Sequence, residues 1–165
     1  MSARSAGLLV FRRTSDALEV LLVHPGGPFW AKRDEGAWSI PKGLVDPSES
    51  DFDAAVREAR EELGVDVDGE FVALGGYRQP SGKIVTAWCV EANPQLDLDN
   101  IKSSMFTMEW PPKSGQQRSF PEVDRAGWFS IEAASVKMLK GQRPMLEALQ
   151  RHLDSEQSPA PQRRC

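Results

Sequence analysis

The first half of the chain alternates short apolar runs with polar stretches rich in Gly, Pro and charge. Ala6 to Phe11 and Leu18 to Val23 (LEVLLV) have strand length, and Ser15-Asp16 between them suits a turn, so the pair predicts a hairpin. His24 to Gly36 (HPGGPFWAKRDEG) predicts a loop long enough to carry function. Trp38 to Ile40 predicts a short strand ending at Pro41. Ser50 to Leu63 carries a helical period: Ser50 suits the N-cap with Asp53 three residues on, and Gly64 suits the left-handed position past the end. Phe71 to Tyr77 and Ile84 to Val90 predict strands joined at Pro80-Ser81-Gly82. Ser103 to Trp110 predicts a further strand, Pro111 to Pro121 a polar loop, and Ala126 to Phe129 a last short strand. Ile131 to Leu139 and Pro144 to Leu153 predict helices separated near Gly141. Strands, then a helix, then strands and closing helices favour an α/β sandwich around a mixed sheet over a repeated βαβ winding. The expected organisation is one domain over residues 1–154 and a disordered tail, SEQSPAPQRRC, over 155–165.

The helix from Ser50 raises a chemical question. With Phe52 at zero and about 100° per residue, Ala55, Val56, Ala59 and Leu63 fall within roughly 60° of Phe52, an apolar stripe. Glu58, Glu61 and Glu62 occupy one arc beside it, and Arg57 and Arg60 fall outside that arc. A solvated acidic face is the ordinary reading of such a helix. Here three carboxylates share an arc with no interleaved cation, which is unfavourable unless something positive sits there. Glu49, just before the helix, brings a fourth carboxylate toward the first turn. An oxygen-rich cluster open on one side fits Mg²⁺ or Mn²⁺. Zinc is disfavoured, because the chain has two His, His24 and His152, and no Cys pair.

Composition narrows the picture further. The chain has 165 residues, 40% of them apolar and 27% charged, as expected of one globular domain. The net charge of −4 and the absence of a basic stripe argue against a nucleic-acid partner. They leave room for a small anionic substrate, because a metal can supply positive charge locally. Two cysteines, Cys89 and Cys165, make no disulfide framework, so a reducing, cytoplasmic setting is expected. The apolar run near the N-terminus is too short for a signal peptide or a membrane span, so neither export nor insertion is expected.

The spacing of these residues resembles a known family. Gly43, then Glu49, Arg57-Glu58-Ala59, Glu61-Glu62 and Gly64-Val65 match the Nudix box, with the run WSIPKG just before it. The resemblance implies a Nudix-type α/β/α sandwich and an enzyme that hydrolyses a pyrophosphate linkage in nucleoside diphosphate-linked substrates with Mg²⁺ or Mn²⁺. It implies that Glu58, Glu61 and Glu62 hold metal with the Gly43 carbonyl, that Glu49 pairs with Arg57, and that Gly64 caps the helix. The proton acceptor varies across the family, leaving Glu62, Glu122 (in SFPEVDRAGWF) and Glu109 as candidates, with Glu61 also counted among the catalytic carboxylates. Family members are often dimers, so a homodimer is compatible with the resemblance.

Other residues are candidates for holding the rest of a small-molecule nucleotide substrate. Lys42 precedes Gly43 and lies where phosphates belong. Lys32, Arg33, Arg78, Lys83 and Arg118 are weaker phosphate candidates. Trp30 is an aromatic in the long loop and can stack on a base. Tyr77, the one tyrosine, is a strand residue or a base contact, and Trp110 reads either way. Trp38, Trp88 and Trp128 sit in strand-like runs and read as core. WSIPKG resembles the branch that hydrolyses dinucleoside polyphosphates such as diadenosine tetraphosphate, with nucleoside triphosphates as related substrates. Pro80 resembles a proline of the ADP-ribose branch, but a hairpin turn explains it equally. Polyphosphate hydrolysis therefore ranks first. ADP-ribose or nucleotide-sugar hydrolysis, a catalytically silent nucleotide sensor and RNA 5′-end processing follow.

Overall fold

A computed structural model describes residues 4–15, 17–93 and 96–157. Its main sheet holds β1 (Arg4–Arg13), β2 (Leu18–Pro25), β4 (Val72–Arg78), β5 (Ile84–Glu91) and β8 (Val123–Ser130), in the order β4-β5-β1-β2-β8. β3 (Lys42–Leu44) joins this sheet by pairing with β1. β1 and β5 are parallel and the other neighbours antiparallel, so the sheet is mixed.

The strands at the centre are buried on both faces, which is why they read as unbroken apolar runs. Their side chains still alternate. Leu9, Phe11, Val20 and Leu22 enter one core with Ala134, Met138, Met145 and Leu149. Leu8, Val10, Leu21 and Val23 enter the other with Ala54, Ala55, Ala59 and Leu63. The first core lies under α2 (Ile131–Lys137) and α3 (Pro144–Gln157), the second under α1 (Asp51–Leu63). The fold is an α/β/α sandwich. Each large apolar side chain buried here contributes about 1.5–3 kcal/mol.

α1 forms where its local signals coincide. The Ser50 hydroxyl accepts from Asp53 N at 3.1 Å, and Gly64 at φ +74° closes the helix by donating to Arg60 O at 2.7 Å. Lys102 N then donates to Leu63 O and Ser104 N to Glu61 O, satisfying carbonyls of the last turn. A Cβ on Gly64 would stand 2.5 Å from Lys102 O, so the residue is held to glycine by conformation and by contact.

Several expectations need correction. Trp38 to Ile40 is buried but forms isolated bridges, Ser39 to Val23 and Trp38 to Met138, not a strand. The strand lies one step later, at Lys42–Leu44. His24 and Pro25 belong to β2, so the loop starts at Gly26. The polar stretch expected as a loop contains β7 (Gln117–Pro121), which pairs with β6 (Met105–Glu109) in a separate two-stranded sheet. α3 runs through Gln157, so Ser155 to Gln157 are helical. The rest of the expected tail, 158–165, and Asp16 of the first turn lie outside the described residues. Pro80 sits in the β4–β5 hairpin, closed by Gln79 N to Lys83 O at 2.8 Å. Among the described residues, no helix is long and apolar enough to cross a membrane.

Candidate active site

β1 changes partner along its length. Its C-terminal half pairs with β2, and its N-terminal residues Ser5 to Gly7 pair with β3. The segment before β3 crosses between the two: Ser39 exchanges main-chain bonds with Val23 (2.8 and 3.0 Å), and Leu8 N donates to Pro41 O at 3.1 Å. Buried Gln142, between α2 and α3, pins that crossing. Its Oε1 accepts from Ile40 N at 3.0 Å and its Nε2 donates to Ser39 Oγ at 2.9 Å. The parting of β2 from β1 leaves a cleft of about 170 Å³ lined by Trp30, Ile40, Lys42, Glu62, Glu122 and Leu139, among others.

One wall is α1, seated against β3. Glu58 and Glu62 are buried, each only 9% exposed. The carboxylates therefore lie within the buried face of the helix, together with Ala54, Ala55, Ala59 and Leu63, and not on an arc beside it. Phe52 and Val56, placed by the sequence at the centre of that face, are half-buried, and Phe52 packs edge-on to Phe71 and Trp88 at 5.1 and 5.4 Å. Gly43 lies directly under Glu58: a Cβ there would come within 2.1–2.4 Å of the carboxyl atoms. Glu62 accepts from Lys42 N at 3.1 Å.

The cation missing from the helical wheel is Arg57, whose side chain bends back over the acids. It gives Glu49 two hydrogen bonds (3.0 and 2.6 Å), Glu58 one at 2.9 Å and Glu61 two at 3.2 Å, and it holds Leu44 O at 3.1 Å. These contacts, the Glu49 bonds above all, raise the Arg57 pKa and lower that of Glu49. They fix the Val45–Ser50 loop against the helix.

The opposite wall carries Glu122, exposed between β7 and β8. Its main chain is held by Gly26 N (2.9 Å to Glu122 O) and by Ser104 O (2.8 Å from Glu122 N). Carboxylate oxygens of Glu58, Glu62 and Glu122 lie within 4.8 Å of one another. Glu61 stands outside this trio, turned to Arg57. Glu109 ends β6 at the hairpin and does not join the trio either.

Electrostatics at this point favour an added positive charge. Burial, with Glu58 and Glu122 nearby, pushes Glu62 up to about 8 despite the Lys42 N–H. Glu58 is raised by burial too, against the pull of Arg57. Lys42 is lowered by burial, which outweighs its attraction to Glu62 and Glu58, and Lys83 lowers it further. Burial wins on both sides of the Lys42–Glu62 contact. Among the described residues this trio offers oxygen donors, a set that suits a hard divalent ion.

The remaining candidates divide. Trp30 and Lys42 reach the cleft. Arg33 lies over the Trp30 ring at 5.6 Å, and Trp110 packs edge-on to the exposed Phe29 at 5.6 Å beside it. Tyr77 does not line the cleft. It packs on the core under α3 and donates to Leu74 O at 2.7 Å. Arg118 belongs to β7, and Lys32 is exposed. Trp38 is core, edge-on to Phe129 at 4.9 Å. Gln142 and His24, both buried and polar, were not among the residues expected at the site. His24 had a signal: it continues the period-2 row Val20, Leu22, so its side chain was due to point inward.

Comparison with known proteins places this architecture. A family model described as NUDIX domain matches residues 1–149. The chain is 36% identical over 85 residues to the asymmetrical bis(5′-nucleosyl)-tetraphosphatase of Sus scrofa, covering 48% of this chain and 53% of that one. It is 47% identical over 58 residues to the CTP pyrophosphohydrolase of Escherichia coli, covering 33% and 42%. The chain thus spans about half the length of the curated relatives it matches. Its fold is similar to that of a C. elegans Ap4A hydrolase binary complex, with TM-score 0.66 and 22% identity over 92% of this chain and 98% of that one. With its carboxylate helix, its mixed sheet and a match across most of its length, the chain belongs to the NUDIX domain family.

Proposed function

We propose that the chain is a metal-dependent hydrolase that cleaves a pyrophosphate linkage in nucleoside diphosphate-linked compounds, with dinucleoside polyphosphates of the diadenosine tetraphosphate kind or nucleoside triphosphates as preferred substrates. The observation that carries this reading is the convergence of Glu58, Glu62 and Glu122 within 4.8 Å, at a cleft that also holds Lys42 and Trp30. The similarity to tetraphosphatases and to a CTP pyrophosphohydrolase supports the substrate class.

Mg²⁺ or Mn²⁺ fits the donor set. Glu58 and Glu62 would hold it, with the Gly43 carbonyl beside them, and Glu61 would join on releasing its Arg57 contacts. When bound, such an ion supplies positive charge against phosphate oxygens and polarises water for attack. The chain's own groups do the rest. Arg57 keeps Glu58 and Glu61 oriented, engaging both oxygens of Glu61 and one of Glu58. Lys42 meets the phosphate charge from the β3 side. Glu122, exposed on the facing wall, accepts the proton of the attacking water. Trp30 stacks on a base and sets its distance from the carboxylates.

The test is a product assay across diadenosine tetraphosphate, nucleoside triphosphates and ADP-ribose, with Mg²⁺ and with Mn²⁺. Diadenosine tetraphosphate or a triphosphate should lead the panel. Glu62→Gln, which keeps an acceptor for Lys42 N, should lower kcat at least about 100-fold with circular dichroism unchanged. Full turnover in Glu61→Gln and Glu62→Gln together would contradict the assignment.

A further inference from the structure

His24, next to last in β2, is fully buried and has no part in the chemistry above. Its Nδ1 lies 2.8 Å from Oδ1 of Asp124, and its Nε2 lies 2.6 Å from the main-chain oxygen of Arg33. The Arg33 carbonyl can only accept, so Nε2 donates to it, and the ring spans Arg33 and Asp124 through its two nitrogens. Trp38 packs edge-on to the ring at 5.2 Å and fixes its plane.

The two partners adjoin two residues that line the cleft, Glu122 and Trp30. Asp124, on β8, lies two residues past Glu122. Arg33 closes the turn that carries Trp30: Arg33 N donates to Trp30 O at 3.0 Å, and its guanidinium lies over the Trp30 ring. Phe29 packs edge-on to Trp110 at 5.6 Å, and further described ties of this loop sit toward its ends. Gly26 bonds to Glu122 O, Asp34 accepts from Trp38 Nε1 and pairs with Lys137, and Gly36 N donates to Val136 O. Between those ends, the His24 contact with Arg33 O adds a hydrogen bond that joins the Trp30 turn to β2.

We propose that His24 is a positioning residue, which couples the Trp30 turn to the Glu122 side of the cleft by joining Arg33 O to Asp124. It fixes Trp30 relative to Glu122, so that the base and the phosphates of one nucleotide are engaged together. This rests on the reading of the cleft as a nucleotide site. The two walls depend on His24 unequally. Glu122 keeps its own main-chain bonds to Gly26 and Ser104, whereas the Trp30 turn is tied by the Arg33–His24 hydrogen bond and the Phe29–Trp110 ring contact. Loss of His24 therefore weakens substrate binding more than it slows the chemical step.

His24→Gln retains a donor for one partner and cannot hold both. With the best substrate of the panel and Mg²⁺, His24→Gln should raise KM about tenfold and leave kcat within about threefold, since one lost hydrogen bond to an ordered loop has that size. Trp30→Ala should raise KM as well, and the double variant should be no worse than Trp30→Ala alone. An unchanged KM in His24→Gln, or KM effects that multiply in the double variant, would overturn the proposal. Asp124→Asn, a half-exposed change that spares the core, should shift KM in the same direction by a smaller factor and serves if His24→Gln folds poorly. Hydrogen–deuterium exchange decides the matter without a substrate. The amides of Trp30 and Arg33 should exchange at least about tenfold faster in His24→Gln, with α1 unchanged. Equal exchange in the turn would sink the coupling even where the hydrolase reading stands. Faster exchange with no turnover in the wild type would spare the coupling and remove that reading.

Discussion

Gly43→Ala tests the construction of the site at its tightest point. The added Cβ would lie 2.1 Å from Cδ of Glu58 and 2.2 and 2.4 Å from its oxygens. Ordinary contact begins near 3.4 Å, so the carboxyl must retreat by about 1.3 Å (3.4 − 2.1). It cannot do so freely, because Arg57 holds it at 2.9 Å and α1 is packed on the sheet through Ala54, Ala55 and Ala59. The Gly43 backbone is not left-handed, so alanine itself is compatible with β3. The change should cost about 1–3 kcal/mol through overpacking, which a melting curve will show. Its larger effect should be chemical: a misplacement of about 1 Å costs on the order of 100-fold in rate. Mn²⁺ affinity by electron paramagnetic resonance and kcat by product release should both fall in a folded protein. Glu58→Asp, shorter by one methylene, should recover part of both losses in the Gly43→Ala background. Wild-type metal affinity and turnover in Gly43→Ala would refute the placement of Glu58 in the site.

Three further changes follow from the same geometry. Arg57→Ala leaves Glu49, Glu58 and Glu61 without their shared partner and should lower stability by about 2 kcal/mol in urea denaturation. Arg57→Lys should restore little of it, because an ammonium cannot form the fork. Gly64→Ala should cost about 1–3 kcal/mol, since φ +74° disfavours alanine and its Cβ meets Lys102 O. The Glu62 carboxyl is raised from 4.5 to about 8 in the metal-free fold, so the folded state binds more protons than the unfolded chain between those values. Metal-free stability should therefore fall as pH rises through that window, by at most ~5 kcal/mol. Glu62→Gln should flatten that fall in denaturant midpoints measured against pH, and bound metal should oppose it.

The sequence announced α1 because three independent local signals agree there: the Ser50 cap, the helical period and the glycine past the end. It misplaced the buried face for a physical reason. A wheel weighted by hydrophobicity is drawn to Phe52 and Val56, whereas the helix packs on β1 through small alanines and buries Glu58 and Glu62 beside them. Buried carboxylates carry no apolar signal. The strand QRSFP was missed because its two-stranded sheet is largely exposed and has no face that must be apolar. KGL was missed because so short a segment has no period to read. Glu122 was a candidate through the resemblance alone, since its approach to Glu58 depends on the Gly26 and Ser104 bonds that seat it. Trp30 and Lys42 were singled out from position alone, and both reach the cleft. Tyr77, singled out by rarity, packs on the core.

The account stands on a divalent ion being gathered by the acids between α1 and β8. The direct measurement is Mn²⁺ titration of the metal-free protein followed by electron paramagnetic resonance, repeated with Glu58→Gln, Glu62→Gln and Glu122→Gln. Saturable binding in the wild type, weakened at least about tenfold by Glu58→Gln and Glu62→Gln, is the expected result. Free Mn²⁺ signal throughout the titration, or equal affinity in all four proteins, would contradict it.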